Sequence, residues 1–310
     1  MAEHEYEVID ERFIYCANMS AKVDRLFTGC IWSEGPAYFP AHRSLVWSDI
    51  PNNRLMRWDE ITGEVGVFRH DSNYTNGNTV DREGRLVSCQ QGGRRVVRTE
   101  HDGSQTVLAD RFNGKRFNSP NDLVVKSDGS IWFTDPSYGI DSNFEGFKGK
   151  SEIGSDNVYR IDPVSGAIDC VADDFRRPNG LAFSVDEKKL YIVDSGGLRF
   201  PDNRRHIRVF DVQSDNLLTG GDVFAECSNG KFDGFRLDDA GRIWTSAADG
   251  VHCLEPDGTL IGKILVPEGV SNLVFGGPRN NRLFITATSS IYSVLLPVDG
   301  ARRPEFPATA

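Results

Sequence analysis

The sequence predicts an all-β protein, a six-bladed β-propeller built from four-stranded antiparallel blades, and three observations carry that expectation. Six segments share one pattern, beginning at Glu34, Asn76, Asn121, Asn179, Asp233 and Ser271. Their starts lie roughly 40 to 60 residues apart, which suits a propeller blade with loop insertions. No long stretch spaces its apolar residues as an amphipathic helix would.

Each segment joins a polar head residue, a short apolar strand, a turn and a second apolar strand, as in NDLVVKSDGSIWFTD from Asn121 and DGFRLDDAGRIWTSA from Asp233. The turns Ser127-Asp128-Gly129 and Asp239-Ala240-Gly241 mark hairpins, because glycine takes the positive φ that a tight reversal requires. Most units continue with a third and a fourth strand, for example LMRWDEITGEVGVF and VYRIDPVSGAIDCVA. The last unit has strands SNLVF, RLFITA and SIYSVLL and then a polar, Pro-containing tail. Its fourth strand is expected from the other end of the chain, where AKVDRLFTG at 21–29 has the look of GEVGVFRH and GSQTVLAD. Closing the ring in this way hides two sheet edges. The expected division is an N-terminal extension over 1–20, one propeller domain over 21–300 and a tail over 301–310. Two Gly-rich, charged segments, 138–157 and 195–206, exceed the repeat and read as loops at one mouth of the channel, where either could cover a site.

Composition narrows the function. Of 310 residues, 39% are hydrophobic and 26% charged, enough to build a large core. A formal net charge of −10 with no basic block gives no electrostatic footprint for nucleic acid or an anionic membrane. The acidic N-terminus has no apolar leader pattern and no apolar run is long enough to span a bilayer, so a cytoplasmic protein is expected. Six scattered cysteines without CxxC spacing read as buried thiols.

In a propeller the innermost strands surround the axis, so the six head residues should converge on one ring. A second column, Asp49, Gln90, Asp135, Asp194, Ala247 and Ala287, closes the second strands and should lie beside it. Carboxylates gathered away from water require a compensating cation. The all-oxygen donors favour a hard ion, Ca²⁺ foremost, with Mg²⁺, Mn²⁺ and Zn²⁺ also accommodated.

At these positions the sequence resembles the family of gluconolactonases, regucalcin (senescence marker protein) and luciferin-regenerating enzyme, most of all the bacterial gluconolactonases. The motifs that carry the resemblance are Ser33-Glu34-Gly35-Pro36, Ser119-Pro120-Asn121-Asp122, Arg177-Pro178-Asn179-Gly180-Leu181-Ala182 and Asp233-Gly234-Phe235. The resemblance implies that Glu34, Asn179 and Asp233 hold one divalent metal ion. It also implies that Asn121 and Asp135 face the ion or the substrate. Some animal relatives have an arginine two residues before the Asn121 position, where this chain has Ser119.

The activity implied is opening of a sugar lactone, glucono-1,5-lactone or a related aldonolactone, by activated water, with Asp233 as general base. No GxSxG elbow and no HExxH motif occurs. The expected partner is a small-molecule lactone, with self-association into a homo-oligomer left open. Two alternatives stay open from the sequence: another lactone or an organophosphate as substrate, and a propeller that binds a partner without chemistry.

Overall fold

The computed structural model describes residues 5–197 and 204–302. The chain starts with β1 (Tyr6–Val8), α1 (Phe13–Cys16) and β2 (Asp24–Thr28), and then winds through six antiparallel sheets. Blade one holds β3 (Ser33–Phe39), β4 (Ser44–Asp49), β5 (Arg54–Asp59) and β6 (Val65–His70), and blade two holds β7 (Thr75–Val80), β8 (Leu86–Gln90), β9 (Arg95–Thr99) and β10 (Gln105–Ala109). A small ribbon of β11 (Arg111–Phe112) and β12 (Lys115–Arg116) leads to blade three, made of β13 (Leu123–Val125), β14 (Ile131–Asp135), β15 (Asp156–Ile161) and β16 (Ile168–Phe175). Between β14 and β15 lies the short α2 (Tyr138–Asp141).

Blade four contains β17 (Pro178–Phe183), β18 (Lys189–Asp194), β19 (His206–Val212) and β20 (Leu218–Glu226). Blade five contains β21 (Phe235–Leu237), β22 (Ile243–Ala247), β23 (Gly250–Leu254) and β24 (Leu260–Leu265). Blade six contains β25 (Val270–Gly276), β26 (Arg282–Ala287) and β27 (Ser290–Leu295), and its fourth strand is β2, which pairs antiparallel with β27 through Asp24↔Ser293 and Thr28↔Ser290. The ring is therefore closed by the N-terminal strand, as the repeat pattern predicts. Gly129 and Gly241 take φ of +85° and +81° in the hairpin turns, a region that side-chain-bearing residues adopt only under strain.

Residues 5–20 pack onto the propeller. β1 adds a fifth strand to blade five by pairing with β24 (Tyr6↔Ile264), and the fully buried ring of Phe13 lies over Gly262, where a Cβ would occupy the same space. This strap is invisible locally, because its partner strand lies more than two hundred residues away. Residues 198–203 of the second expected loop and 303–310 of the tail lie outside the described residues.

Apolar clusters fill the gaps between neighbouring blades. The second strands supply Trp47, Trp132 and Trp244, all fully buried, and each indole N–H finds a partner: Cys30 Sγ, Ser130 Oγ and Asp238 Oδ2. Such rings add large apolar area, and cutting one to alanine costs about 3–5 kcal/mol. The six cysteines are free thiols, and Cys170 is the partly exposed one. Among the described residues no helix is long and apolar enough to cross a membrane.

Candidate active site

The innermost strands become irregular at the head residues. Pairing shifts register between Glu34 and Ala37, between Thr75 and Asn78, between Pro178 and Leu181 and between Val270 and Asn272. In blades three and five, β13 and β21 begin only after Asn121 and Asp233. A bulge breaks the two-residue alternation of a strand and re-aims side chains, which lets the heads turn toward the axis. Neighbouring blades lock this arrangement with hydrogen bonds: Gly77 N–H donates to the Asn121 carbonyl (2.7 Å), Gly234 N–H to the Ser271 carbonyl (2.8 Å) and Thr134 Oγ1 to the Asn179 carbonyl (2.9 Å).

Five of the six heads, Glu34, Asn76, Asn121, Asn179 and Asp233, line one cavity of about 670 Å³. Ser271 does not. Its hydroxyl donates to the Ser33 carbonyl at 2.6 Å and meets Thr286 Oγ1 at 2.9 Å, so the sixth head joins blades six and one.

The second column lies beside the first ring, as expected: Asp49 pairs with Ser33, Gln90 with Thr75, Asp194 with Pro178 and Ala287 with Val270. None of its members lines the cavity. The Asp135 carboxylate accepts Asn118 N–H and Ser119 N–H, both at 2.8 Å, and Asp194 accepts Arg176 N–H and Arg177 N–H, both at 3.0 Å. Asp49 accepts Ile31 N–H at 2.9 Å. In all three blades the aspartate that ends the second strand holds the segment leading into the first. Asp135 is thus placed behind the chamber wall, with two backbone donors on its carboxylate.

Glu34 is 3% exposed, and its Oε2 accepts Gly35 N–H at 2.6 Å and Asn272 Nδ2 at 3.1 Å. Burial, then the negative charges of Asp233 and Asp122, raise its pKa well above the carboxylate range. Burial likewise pushes Asp233 up to about 7; the nearby Lys231 ammonium and the Asn179 amide pull it down, while Asp122 and Glu145 push it up. Asn179 Nδ2 also donates to Ser195 Oγ at 3.1 Å, and Ser195 Oγ meets the Tyr138 hydroxyl at 2.7 Å. The Tyr138 ring carries the Arg177 guanidinium at 4.8 Å and the Lys231 ammonium at 5.3 Å, a cation–π arrangement. Tyr138 belongs to the first of the two expected loops, so that segment does wall the chamber, together with Phe144 and Glu145.

The donor set fits a hard divalent cation. Two carboxylates that burial and nearby negative charge drive toward protonation, flanked by side-chain amides, would be balanced by a divalent cation. The set has only two anionic ligands; a cluster of three or more His, Cys, Asp or Glu side chains suited to a metal is absent among the described residues.

Sequence reasoning missed Lys231, Tyr138 and Ser195. A signal existed for Lys231, which stands two residues before Asp233, the spacing that brings an extended chain back to the same side. The other two come from loops whose path depends on the completed ring.

The polar-headed channel mouth of this six-bladed propeller is a candidate small-molecule site, and the comparisons with known proteins give its class. Residues 32–289 match the SMP-30/gluconolactonase/LRE-like region. The gluconolactonase of Zymomonas mobilis is 31% identical over 301 residues, which cover 89% of this chain and 82% of that protein. The pentonolactonase of Haloferax volcanii is 28% identical over 84% of this chain and 82% of its own length. A solved structure of a gluconolactonase from Xanthomonas campestris superposes with a TM-score of 0.88 at 37% identity, covering 94% of each chain. The fold and this kinship make the protein a propeller enzyme of the lactone-hydrolase class. The chain belongs to the SMP-30/gluconolactonase/LRE-like family.

Proposed function

We propose that the protein opens a sugar lactone, glucono-1,5-lactone or a related aldonolactone, to its free acid, with a divalent ion held by Glu34, Asn179 and Asp233. The observation that carries this reading is the convergence of those three side chains, from blades one, four and five, on one mouth of the channel. A bound ion supplies Lewis-acid polarisation of the ester carbonyl and acidifies water.

The residues of the chain account for the remaining requirements. Asp233 faces the chamber and accepts a proton as water attacks the lactone carbonyl carbon. The C–O bond to the new hydroxyl forms, the ring C–O bond breaks, and the proton ends on the released alkoxide, giving the hydroxy acid. Asn76 and Asn121 offer amide donors and acceptors to sugar hydroxyls, and the Lys231 ammonium stands where negative charge develops. Tyr138 and Ser195 orient Asn179 by hydrogen bonds. Asp135 contributes by fixing the path of 118–119, which leads to Asn121. Relatives named for gluconolactone and for pentonolactone support the sugar-lactone class and make ring size the feature to vary.

The test is a panel of five- and six-membered aldonolactones, assayed with metal-stripped protein and again after adding Ca²⁺, Mg²⁺, Mn²⁺ or Zn²⁺. Turnover is expected with at least one ion and lost on chelation. Equal rates with and without metal, or no acceleration over spontaneous hydrolysis on any lactone, refute the proposal.

A further inference from the structure

Directly behind the five head residues lies a second ring that the mechanism above does not use. The residue following each head is Gly35, Gly77, Asp122, Gly180, Gly234 or Asn272, in order around the blades. All four glycines are packed against a neighbouring blade: a Cβ on any of them would fall within 3.0 Å of the next blade's atoms, Asn76 for Gly35, Asn121 for Gly77, Asp233 for Gly180 and Asn272 for Gly234. At Gly35 and Gly180 that space is taken by backbone of the next blade, whereas Asp122 Oδ1 packs against Gly77 and the Asn272 amide against Gly234. Asp122 is in blade three and Asn272 in blade six, on opposite sides of a six-membered ring, and they meet: Asn272 Nδ2 donates to Asp122 Oδ2 at 3.3 Å.

The same amide nitrogen donates to Glu34 Oε2 at 3.1 Å. A primary amide has two N–H bonds, so one goes to each carboxylate. Leu273 N–H donates to Asn272 Oδ1 at 2.8 Å, which sets the amide's orientation and leaves its NH₂ toward the acids. Gly35 N–H is also on Glu34 Oε2. Both donors therefore use one oxygen of Glu34 and leave Oε1 for a ligand from the chamber. On the other side Arg236 Nη1 stands 4.0 Å from Asp122 Oδ2 and lines a separate cavity of about 820 Å³ at the opposite mouth. Asp122 and Asn272 line neither cavity; they form the partition between them.

We propose that Asn272, anchored across the channel by Asp122, is the positioning residue that presents Glu34 to a divalent ion, and that the pair closes the floor of the chamber. This rests on the metal reading above. Outer hydrogen-bond partners of metal ligands typically matter about tenfold or more in affinity, because they restrict the ligand to one orientation. A merely structural bridge would lower stability and leave ion affinity unchanged.

The experiment is calorimetric titration of metal-stripped protein with Ca²⁺ and with Mn²⁺, on the wild type, Asn272→Leu, Asp122→Asn and the double variant, alongside urea unfolding of each without ion. Asn272→Leu is expected to weaken ion binding about tenfold. Asp122→Asn, which keeps shape, is expected to weaken it about threefold and to have a smaller effect in the Asn272→Leu background, where only the direct loss of its charge remains. Unchanged dissociation constants in Asn272→Leu overturn the inference while leaving the metal reading intact. Should Asn272→Leu fail to fold, Asp122→Asn decides alone, and wild-type affinity in that variant overturns it. Wild-type protein that binds no divalent ion refutes the metal reading and this inference together.

Discussion

Replacing Gly234 by alanine tests the axial packing directly. A Cβ at this position would lie well within 3.0 Å of Cγ, Oδ1 and Nδ2 of Asn272, so methyl and amide cannot both remain. The amide is the movable partner, but it is held by Leu273 N–H and by two buried carboxylates. Overpacking in a closed region costs about 1–3 kcal/mol. Losing a hydrogen bond to a charged group adds about 1.5 kcal/mol or more. The expected loss of unfolding free energy is therefore about 3 kcal/mol, read from urea denaturation of metal-free protein. The reference is Gly66→Ala on the outer strand β6, where an added Cβ meets nothing within 4 Å, so that stability should change by about 0.5 kcal/mol or less. Calcium titration of the same proteins should show weaker binding in Gly234→Ala and wild-type binding in Gly66→Ala. If the two variants unfold at the same urea concentration and bind the ion equally, the packing of Asn272 against Gly234 does not control Glu34 and the reasoning fails.

Three further outcomes follow from the structure. Asp233→Asn at saturating metal should lower kcat on an aldonolactone by about 100-fold or more with a much smaller change in KM, because a base acts in the transition state; a loss confined to KM refutes that role. Trimming 142–149, the outer part of the loop that contributes Phe144 and Glu145 to the chamber, should change KM and ring-size preference more than it changes ion affinity; unchanged kinetics across the lactone panel would make the loop a bystander. Phe13→Ala should cost about 3 kcal/mol in urea denaturation, as expected for a fully buried ring packed against Trp244 at 6.2 Å between centroids, with kcat unaffected; wild-type stability would show that the N-terminal strap is not part of the folded unit.

The features legible in the sequence are those that repeat or that depend on near neighbours. Hairpin turns at Gly129 and Gly241, apolar strands of matching length, and a polar head on each unit are local and recur six times, so blade number and the antiparallel meander follow from the chain itself. Ring closure by β2 was readable because the last unit lacked a strand and an unclaimed one stood at the other end. Glu34, Asn179 and Asp233 were readable as companions because they occupy one register of the repeat, and a closed ring brings equal registers together.

What only the tertiary structure decided is which polar groups at that register face open space. Asp135 and Asp194 occupy the same column in the repeat as Asp49, yet backbone N–H groups of their own lead-in segments consume them, a pairing set by loop path. Ser271 sits at a head position but binds the blade-one backbone, because blade six is where the two ends of the chain meet. Asp122 and Asn272 look like ordinary turn residues beside four glycines, and their contact across the axis exists only once the ring closes with two blades between them on either side. Tyr138 and Lys231 reach the chamber from segments without a repeat. The physical reason is common to all of these: strand and turn preferences act over a few residues, whereas the surroundings of a side chain at the axis are supplied by blades far apart in sequence and are defined only when the ring is closed.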